Sequence, residues 1–241
     1  YYGMRGILVL FMTASIQDGG LNFSNSSASA IYGIYAATVY LATLPGGWIA
    51  DNLYGQQKTV LYGGIVIMFG HLILAIPNMS LFYLGLTLVV IGTGLLKPNI
   101  SALVGGLYED KINMRESGFT IFYMSINLGS ILGFFICGYL GENIGWHYGF
   151  GAAGIGMLFG VIQYKLNIQS LGKTGISPSN SINLEIKKKY ERIVLVISLF
   201  LSLFIISGLM GFWSIDPLPL ANIITIVIAS ISLAYFLYIY F

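Results

Sequence analysis

Long apolar segments alternate with short polar ones along the whole chain. Eight apolar runs are present, and most approach the length of about 20 residues that an α-helix needs to cross a bilayer. They lie near residues 1–17, 29–50, 59–76, 81–107, 117–139, 146–164, 192–213 and 218–241. The pattern therefore predicts an all-α integral membrane protein with eight membrane helices. Because the first run is short and opens on Tyr1, we expect helix 1 to be incomplete.

The composition agrees with a lipid environment. Hydrophobic residues make up 56% of the chain and charged residues only 8%, whereas soluble domains have about 25% charged residues. The 31 glycines are typical of membrane helices that approach one another closely. We expect the lipid bilayer as a partner and no nucleic acid.

Positive charges are concentrated on one side of the predicted membrane. Of the eleven Lys and Arg, Arg5 and Lys97 lie within helices, and the other nine lie in or beside the loops after helices 2, 4 and 6. Basic loops face the cytoplasm by the positive-inside rule. We therefore expect a multi-pass protein of the cell membrane in which residues 167–191 are cytoplasmic.

The same polar segment divides the chain into three predicted parts. Residues 1–166 form a six-helix transmembrane bundle, residues 167–191 a cytoplasmic linker, and residues 192–241 an additional transmembrane helical hairpin. At the end of the linker, the sequence KKKYER at 187–192 is compatible with contact to anionic lipid headgroups. A purely topogenic role for these charges is the simpler interpretation.

Lys97, in the sequence LLKPNIS, is the first candidate for a functional site. It lies about ten residues, or roughly 15 Å, from the cytoplasmic end of helix 4. A charge in the centre of a membrane helix costs about 2.5–3.5 kcal/mol, so such residues face a polar cavity and a partner. Pro98 removes a helical hydrogen bond and is expected to bend the helix beside the lysine, which predicts a gating or structural role for it. The alternative for Lys97 is a pairing that only holds helices together.

A second cation is similarly placed in helix 1. Tyr1 and Tyr2 lie within one turn of Arg5, and Tyr40 and Asn127 lie midway along helices 2 and 5. All nine acidic residues lie in loops or at helix ends. Buried cations, tyrosines and an asparagine suit the carboxylate and amide groups of a ligand, so they resemble half of a binding site.

Four stretches in this order carry a resemblance to a known family. They are YYGMRGILVLF at 1–11, GGWIADNLYGQQKTVLYGGIV at 46–66, LLKPNIS at 95–101 and FTIFYMSINLGSI at 119–131. Together they resemble the proton-dependent oligopeptide transporters, a branch of the major facilitator superfamily. The resemblance covers helices 1–6 continuously.

The resemblance implies a carrier of two six-helix bundles with the substrate held between them. This chain would then contain the N-terminal six-helix bundle of a major facilitator fold, and the hairpin 192–241 would match two extra helices of bacterial members. The implied activity is proton symport of di- and tripeptides across a bacterial inner membrane. Protons would be the coupling ion, with no other cofactor.

The resemblance also implies roles for individual residues. Lys97 matches a lysine that pairs with a glutamate of the C-terminal half and helps to hold the peptide carboxylate. Arg5 matches an arginine that forms a salt bridge to helix 7. Independently of the resemblance, the position of Asp51 at a cytoplasmic helix end indicates a gating or capping role rather than proton carriage. The remaining candidates match residues of the substrate pocket, namely Tyr1, Tyr2, Tyr40 and Asn127.

Several parts of the family pattern are not found in this sequence. The Glu-x-x-Glu-Arg proton motif is expected just before Tyr1, and helices 7–12 would carry the acidic partners of Arg5 and Lys97. We therefore expect a C-terminal six-helix half as a partner, and we predict that this chain alone does not transport.

Other functions are less consistent with the sequence. The glycine-rich sequence GFGAAG at 149–154 opens a membrane helix and lacks the strand that dinucleotide binding requires. His71 and His147 belong to no pattern of metal-ligating residues, so we expect no metal site. No set of catalytic residues is evident either, so we do not expect an enzyme. Two alternatives stay open. They are another major facilitator carrier, for nitrate, amino acids or drugs, and a non-transporting membrane scaffold.

Overall fold

Helices form almost the whole of the computed structural model of this chain. It describes residues 1–180, 182–212 and 216–240, except for the side chains of Leu209, Ile239 and Tyr240. The helices are α1 (Tyr2–Thr13), α2 (Asn25–Ile49), α3 (Gln56–Leu74), α4 (Met79–Leu107), α5 (Ile112–Asn143), α6 (Trp146–Asn167), α7 (Leu184–Leu209) and α8 (Pro217–Tyr240). A π-helical turn, Ala50–Tyr54, extends α2, and a short 3-10 helix, Ile168–Leu171, follows α6. The all-α prediction is confirmed, since the described residues contain no strand.

Each predicted apolar run overlaps with one of these helices. Within the described residues, six helices are long and apolar enough to cross a membrane: α2 with its π-helical turn, α3, α4, α5, α7 and α8. Helix α1 has only 12 residues. Helix α6 is not among the six, because its five glycines and its polar residues lower its hydropathy. The protein is therefore a multi-pass membrane protein.

Polar residues in the loops define where several helices begin. The Ser24 hydroxyl accepts a hydrogen bond from the backbone N–H of Ser27 at 3.1 Å. The Asn78 side chain caps α4 by accepting from Ser80 and Leu81, at 2.9 and 3.1 Å. Such caps satisfy N–H groups that have no partner within the helix. The polar connections between apolar runs therefore contain the start signals of the helices that follow.

The core lies where α1 meets α4 and α6. Phe11 is 2% exposed, and its ring lies 5.2 Å from that of Phe150, 5.6 Å from Phe82 and 6.3 Å from Trp146, measured between centroids. Beyond this cluster, α3 packs along both α4 and α6, and α1 packs along α5. Aromatic packing thus fixes α1 inside the bundle although it is the shortest helix.

The last two helices attach to the side of the bundle through α2. Helix α8 packs along α2, and α7 contacts the π-helical turn. The ring of Tyr190 on α7 meets that of Trp48 on α2 edge to face, with 5.1 Å between centroids. Helix α7 begins at Leu184, inside the segment predicted to be the linker. The division at residues 166 and 191 stays a prediction. Ser181 of that linker and residues 213–215 and 241 of the predicted hairpin lie outside the described residues.

Candidate functional site

Helices α2 and α4 touch through their backbones at two glycines. A Cβ on Gly46 would collide with the carbonyl oxygen of Gly94, and a Cβ on Gly94 would lie 2.6 Å from the oxygen of Ala42. Glycine is therefore required at both positions. The close crossing brings side chains of α2 and α4 together on either side of it.

Lys97 and Tyr40 form the first group near this crossing. The Lys97 Nζ lies 4.3 Å from the centroid of the Tyr40 ring, within the range of a cation–π interaction. Lys97 is half-buried and Tyr40 is 58% exposed, so the pair lies at an open face of the bundle. The deep burial suggested by their positions in the sequence is thus only partial in this structure. Lys97 forms no ion pair with any carboxylate of the described residues.

Pro98 does not end α4, which runs without interruption to Leu107. Proline has no N–H, so the carbonyl of Gly94 lacks its usual helical donor. That carbonyl faces Gly46 of α2. A gating role for Pro98 stays a prediction.

Asn99 is a buried residue of this region that the sequence analysis did not single out. Its side chain is 2% exposed and donates to the carbonyl oxygens of Gly46, at 3.0 Å, and Leu95, at 2.7 Å. It therefore joins α4 to α2 beside the glycine contact. An asparagine within an apolar run was the available signal, and it stood next to the more conspicuous Lys97.

Arg5 is the centre of a second group, which consists of tyrosines. Its Nη2 donates to the hydroxyl of Tyr32 at 2.9 Å. Its Cζ lies 5.6 Å from the ring centroid of Tyr32, 5.8 Å from that of Tyr1 and 6.0 Å from that of Tyr2. Tyr35 follows one turn after Tyr32, with 6.2 Å between the two rings. The structure brings Arg5, Tyr1 and Tyr2 together as predicted, and it adds Tyr32 and Tyr35.

Tyr32 and Tyr35 were missed because nothing in the sequence shows that their part of α2 packs beside Arg5 of α1. Their spacing in IYGIY, which places both on one face of α2, was the signal that could have found them. Within the described residues Arg5, like Lys97, forms no ion pair. Arg5 contacts three tyrosine rings and Lys97 contacts one. A ring does not neutralise a cation, so each can still bind an anionic group.

Asn127 is exposed on α5. Within the described residues its side chain forms no hydrogen bond to Arg5 or Lys97, and its assignment to a substrate pocket stays a prediction. His71 is fully buried in α3. No cluster of His, Cys, Asp and Glu in the described part of the chain is arranged to hold a metal ion.

Asp51 lies in the π-helical turn and contacts the segment that follows α6. Its Oδ1 accepts hydrogen bonds from Ser179 Oγ at 3.4 Å and from Gln56 Nε2 at 3.5 Å. Its backbone oxygen accepts from the N–H of Asn180 at 2.9 Å. These contacts are compatible with a capping role, and gating stays a prediction.

Gln57 fastens the same segment more tightly. It is 6% exposed, and its Nε2 donates to the oxygens of Thr174, at 2.8 Å, and Gly172, at 3.3 Å. Its backbone N–H donates to Gly175 at 2.9 Å. Gly55 has a φ of +78°, and a Cβ there would lie 2.5 Å from the oxygen of Ile176. We call residues 172–180 the strap, because they are tied across the turn between α2 and α3.

The sequence and the fold both match known transporters. Residues 57–207 match the POT family. The chain is 39% identical over 248 aligned residues to the peptide transporter YePEPT of Yersinia enterocolitica subsp. palearctica, covering 100% of this chain and 48% of the relative. It is 39% identical over 228 residues to a di-/tripeptide transporter of Lactococcus lactis subsp. cremoris, covering 93% and 44%. A crystal structure of the peptide transporter POT in complex with sulfate has a TM-score of 0.85 and 38% identity, covering 96% of this chain and 48% of that one.

These similarities define a multi-pass membrane protein with the major facilitator fold. The chain belongs to the POT family. It spans about half the length of the curated relatives that it matches.

Proposed function

We propose that this chain is the N-terminal half of a proton-coupled symporter for di- and tripeptides in a bacterial inner membrane. The observation that carries the proposal is the state of its two membrane cations. Arg5 contacts three tyrosine rings and Lys97 contacts one, and neither has an anionic partner among the described residues. The substrate class is supported by the relatives, whose names specify peptides.

In the proposed site, peptide and protein compete for the same cation. Lys97 would bind either a glutamate of the C-terminal half or the carboxylate of the peptide. Protonation of the glutamate releases Lys97 to the substrate, and deprotonation restores the ion pair and expels the substrate. Each proton that moves inward gains about 2.3 kcal/mol per 100 mV of membrane potential. Protons are the only coupling species in this scheme, which needs no cofactor and breaks no bond of the substrate.

The other candidates have supporting roles in this proposal. Arg5 would pair with an acidic residue of helix 7 across the two halves. The peptide would lie against pocket side chains, namely Tyr1, Tyr2, Tyr40 and Asn127. The linker 167–191 would face the cytoplasm, in agreement with its positive charges.

The test is uptake of a labelled dipeptide into proteoliposomes with an inward proton gradient. We expect no uptake by this chain alone. We expect uptake by a protein in which the chain is completed by its proton motif and a C-terminal six-helix half, and we expect unlabelled dipeptides to compete. A completed protein that folds but takes up no peptide would contradict the substrate class and favour another major facilitator substrate. Uptake by the isolated chain would contradict the division of the site between two halves.

A further inference from the structure

A cleft lies where α7 meets the end of α2, away from both cation groups. It has a volume of ≈ 570 Å³ and is lined by Tyr54, Lys188, Glu191, Arg192, Val194 and Leu195. Tyr54 is the last residue of the span Asn25–Tyr54, and α7 begins nearby at Leu184. Since spans end at the membrane surface, the cleft lies at the depth of the lipid headgroups.

The side chains that line the cleft change from charged to aliphatic along α7. Lys188, Arg192 and Leu195 are four and three residues apart, so they share one face of the helix. The two cations lie nearer the helix start, and the aliphatic Leu195 lies one turn further into the span. Leu195 is 65% exposed. A cationic end followed by an exposed aliphatic wall matches a ligand with an anionic head and a hydrocarbon tail.

The cations of the cleft are available to a ligand. Lys188 and Arg192 are both exposed, and neither forms an ion pair with another of the residues that the structure describes. A second hollow on the same face is lined by Glu185, Lys188, Lys189, Arg192 and Ile193. The carboxylates of Glu185 and Glu191 oppose an anion here, but the basic side chains outnumber them.

The walls of the cleft are held together by packing within the protein. The edge-to-face contact between Trp48 and Tyr190 fixes α7 against α2 close to the cleft. Tyr54 lines the same space as Lys188 and Arg192. It adds a phenol hydroxyl that can donate to a phosphate oxygen. The sequence alone offers only a run of positive charge, whereas the structure adds a neutral donor from a different helix.

We propose that this cleft binds the phosphate of an anionic phospholipid headgroup, with Lys188, Arg192 and Tyr54 as its ligands and an acyl chain along Leu195. A free phosphate shares the headgroup chemistry but has nothing to place against the aliphatic wall. The site is independent of the transported substrate. It ties α7 to the lipid of the leaflet at which α2 ends.

The experiment measures lipid retention by the purified 241-residue chain in detergent, using native mass spectrometry with added phosphatidylglycerol or phosphatidylcholine. We expect preferential retention of phosphatidylglycerol. The double variant Lys188→Gln/Arg192→Gln should lower its apparent affinity ~30-fold, about fivefold for each basic residue at a membrane surface. Tyr54→Phe, which leaves the charge unchanged, should lower it ~5-fold through the loss of one hydrogen bond.

The matched control is Lys165→Gln/Lys173→Gln, which removes the same charge at exposed positions outside the cleft. Retention by this control should equal that of the unaltered chain, and circular dichroism confirms that each variant is folded. Equal loss in the control and the double variant, or equal retention of the two lipids, would overturn the proposal. An unchanged affinity in Tyr54→Phe would overturn the assignment to this cleft in favour of diffuse surface charge. Displacement of phosphatidylglycerol by millimolar inorganic phosphate would overturn the assignment to a lipid and indicate a soluble phosphate.

Discussion

An ammonium group that contacts a tyrosine ring can still form an ion pair with a carboxylate. Lys97 lies 4.3 Å from the Tyr40 centroid, and a cation–π contact at an exposed site contributes only about 0.5–1 kcal/mol. A carboxylate that approaches Lys97 can displace the ring at little cost. The Tyr40 ring is thus suited to hold the Lys97 side chain while no carboxylate is bound to it.

Lys97→Gln in the completed carrier should separate exchange of peptide from its accumulation. Glutamine keeps a polar side chain but cannot form the alternating ion pair of the proposed mechanism, in which that pair couples proton movement to substrate movement. We expect exchange of peptide across the membrane to persist while the accumulation ratio under a proton gradient falls to about one. Counterflow and gradient-driven uptake measure the two quantities separately.

Lys165→Gln is the control for this substitution, because Lys165 lies exposed in the last turn of α6. It should leave both measurements unchanged. Concentrative uptake that is undiminished in Lys97→Gln would show that the lysine does not couple protons to transport.

Charge made the centres of the two groups predictable from the sequence, but not their surroundings. Arg5 and Lys97 were evident because a cation in an apolar run is costly. Tyr32, Tyr35 and Asn99 are neutral residues whose neighbours come from another helix. A single sequence does not indicate which helices pack together, so these residues emerged only from the structure.

At the scale of helices, the crossing of α2 and α4 is the contact that places Lys97 over Tyr40. Gly46 and Gly94 meet backbone to backbone, and Asn99 donates across the same crossing. Hydrogen bonds between membrane helices contribute about 0.6–2 kcal/mol. Close packing and one polar bridge therefore act together at this point.

The element-scale prediction compares two adjacent glycines of α2. Gly46→Ala should destabilise the fold by about 1–3 kcal/mol, because its Cβ would collide with the Gly94 carbonyl oxygen in a packed interface. Gly47→Ala should be neutral or slightly stabilising, since no neighbouring atom lies within 4 Å of a Cβ there and alanine favours the helix. Unfolding in mixed detergent and SDS micelles measures both. Equal destabilisation by the two substitutions would refute the close crossing.

Hydropathy predicted the existence of all eight helices but not the full length of α7. The predicted hairpin begins at residue 192, whereas the helix begins at Leu184 with Asn183 as its cap. Five of the eight residues 184–191 are charged, so this segment falls outside the apolar run that begins at residue 192. Lysine, glutamate and arginine are nevertheless good helix formers, so the helix continues beyond the apolar segment into the polar one.

At the scale of the whole molecule, the strap joins the end of the six-helix bundle to its α2–α3 turn. Gln57 makes three of the hydrogen bonds, and Asp51 accepts two more. The strap therefore lies fixed on the surface even though its composition is that of a flexible linker. Composition predicted the polarity of this segment and not its docking.

The whole-molecule prediction concerns release of the strap. Gln57→Ala removes both side-chain hydrogen bonds to the strap, and at about 1 kcal/mol each the docked state should weaken enough to raise tryptic cleavage at Lys173 by on the order of tenfold. Gln163→Ala, at an exposed position of α6, should leave the cleavage rate unchanged. Cleavage at the same rate in both variants would mean that Gln57 does not hold the strap.

The docked strap and the Trp48–Tyr190 contact have a consequence for measuring motion. Together they attach the segment between α6 and α7 and the start of α7 to the bundle at two separate places. A spin label or fluorophore at position 173 would therefore move together with the bundle. In a completed carrier, distances from that label to the C-terminal half would report any movement of one half relative to the other, with little contribution from movement of the strap.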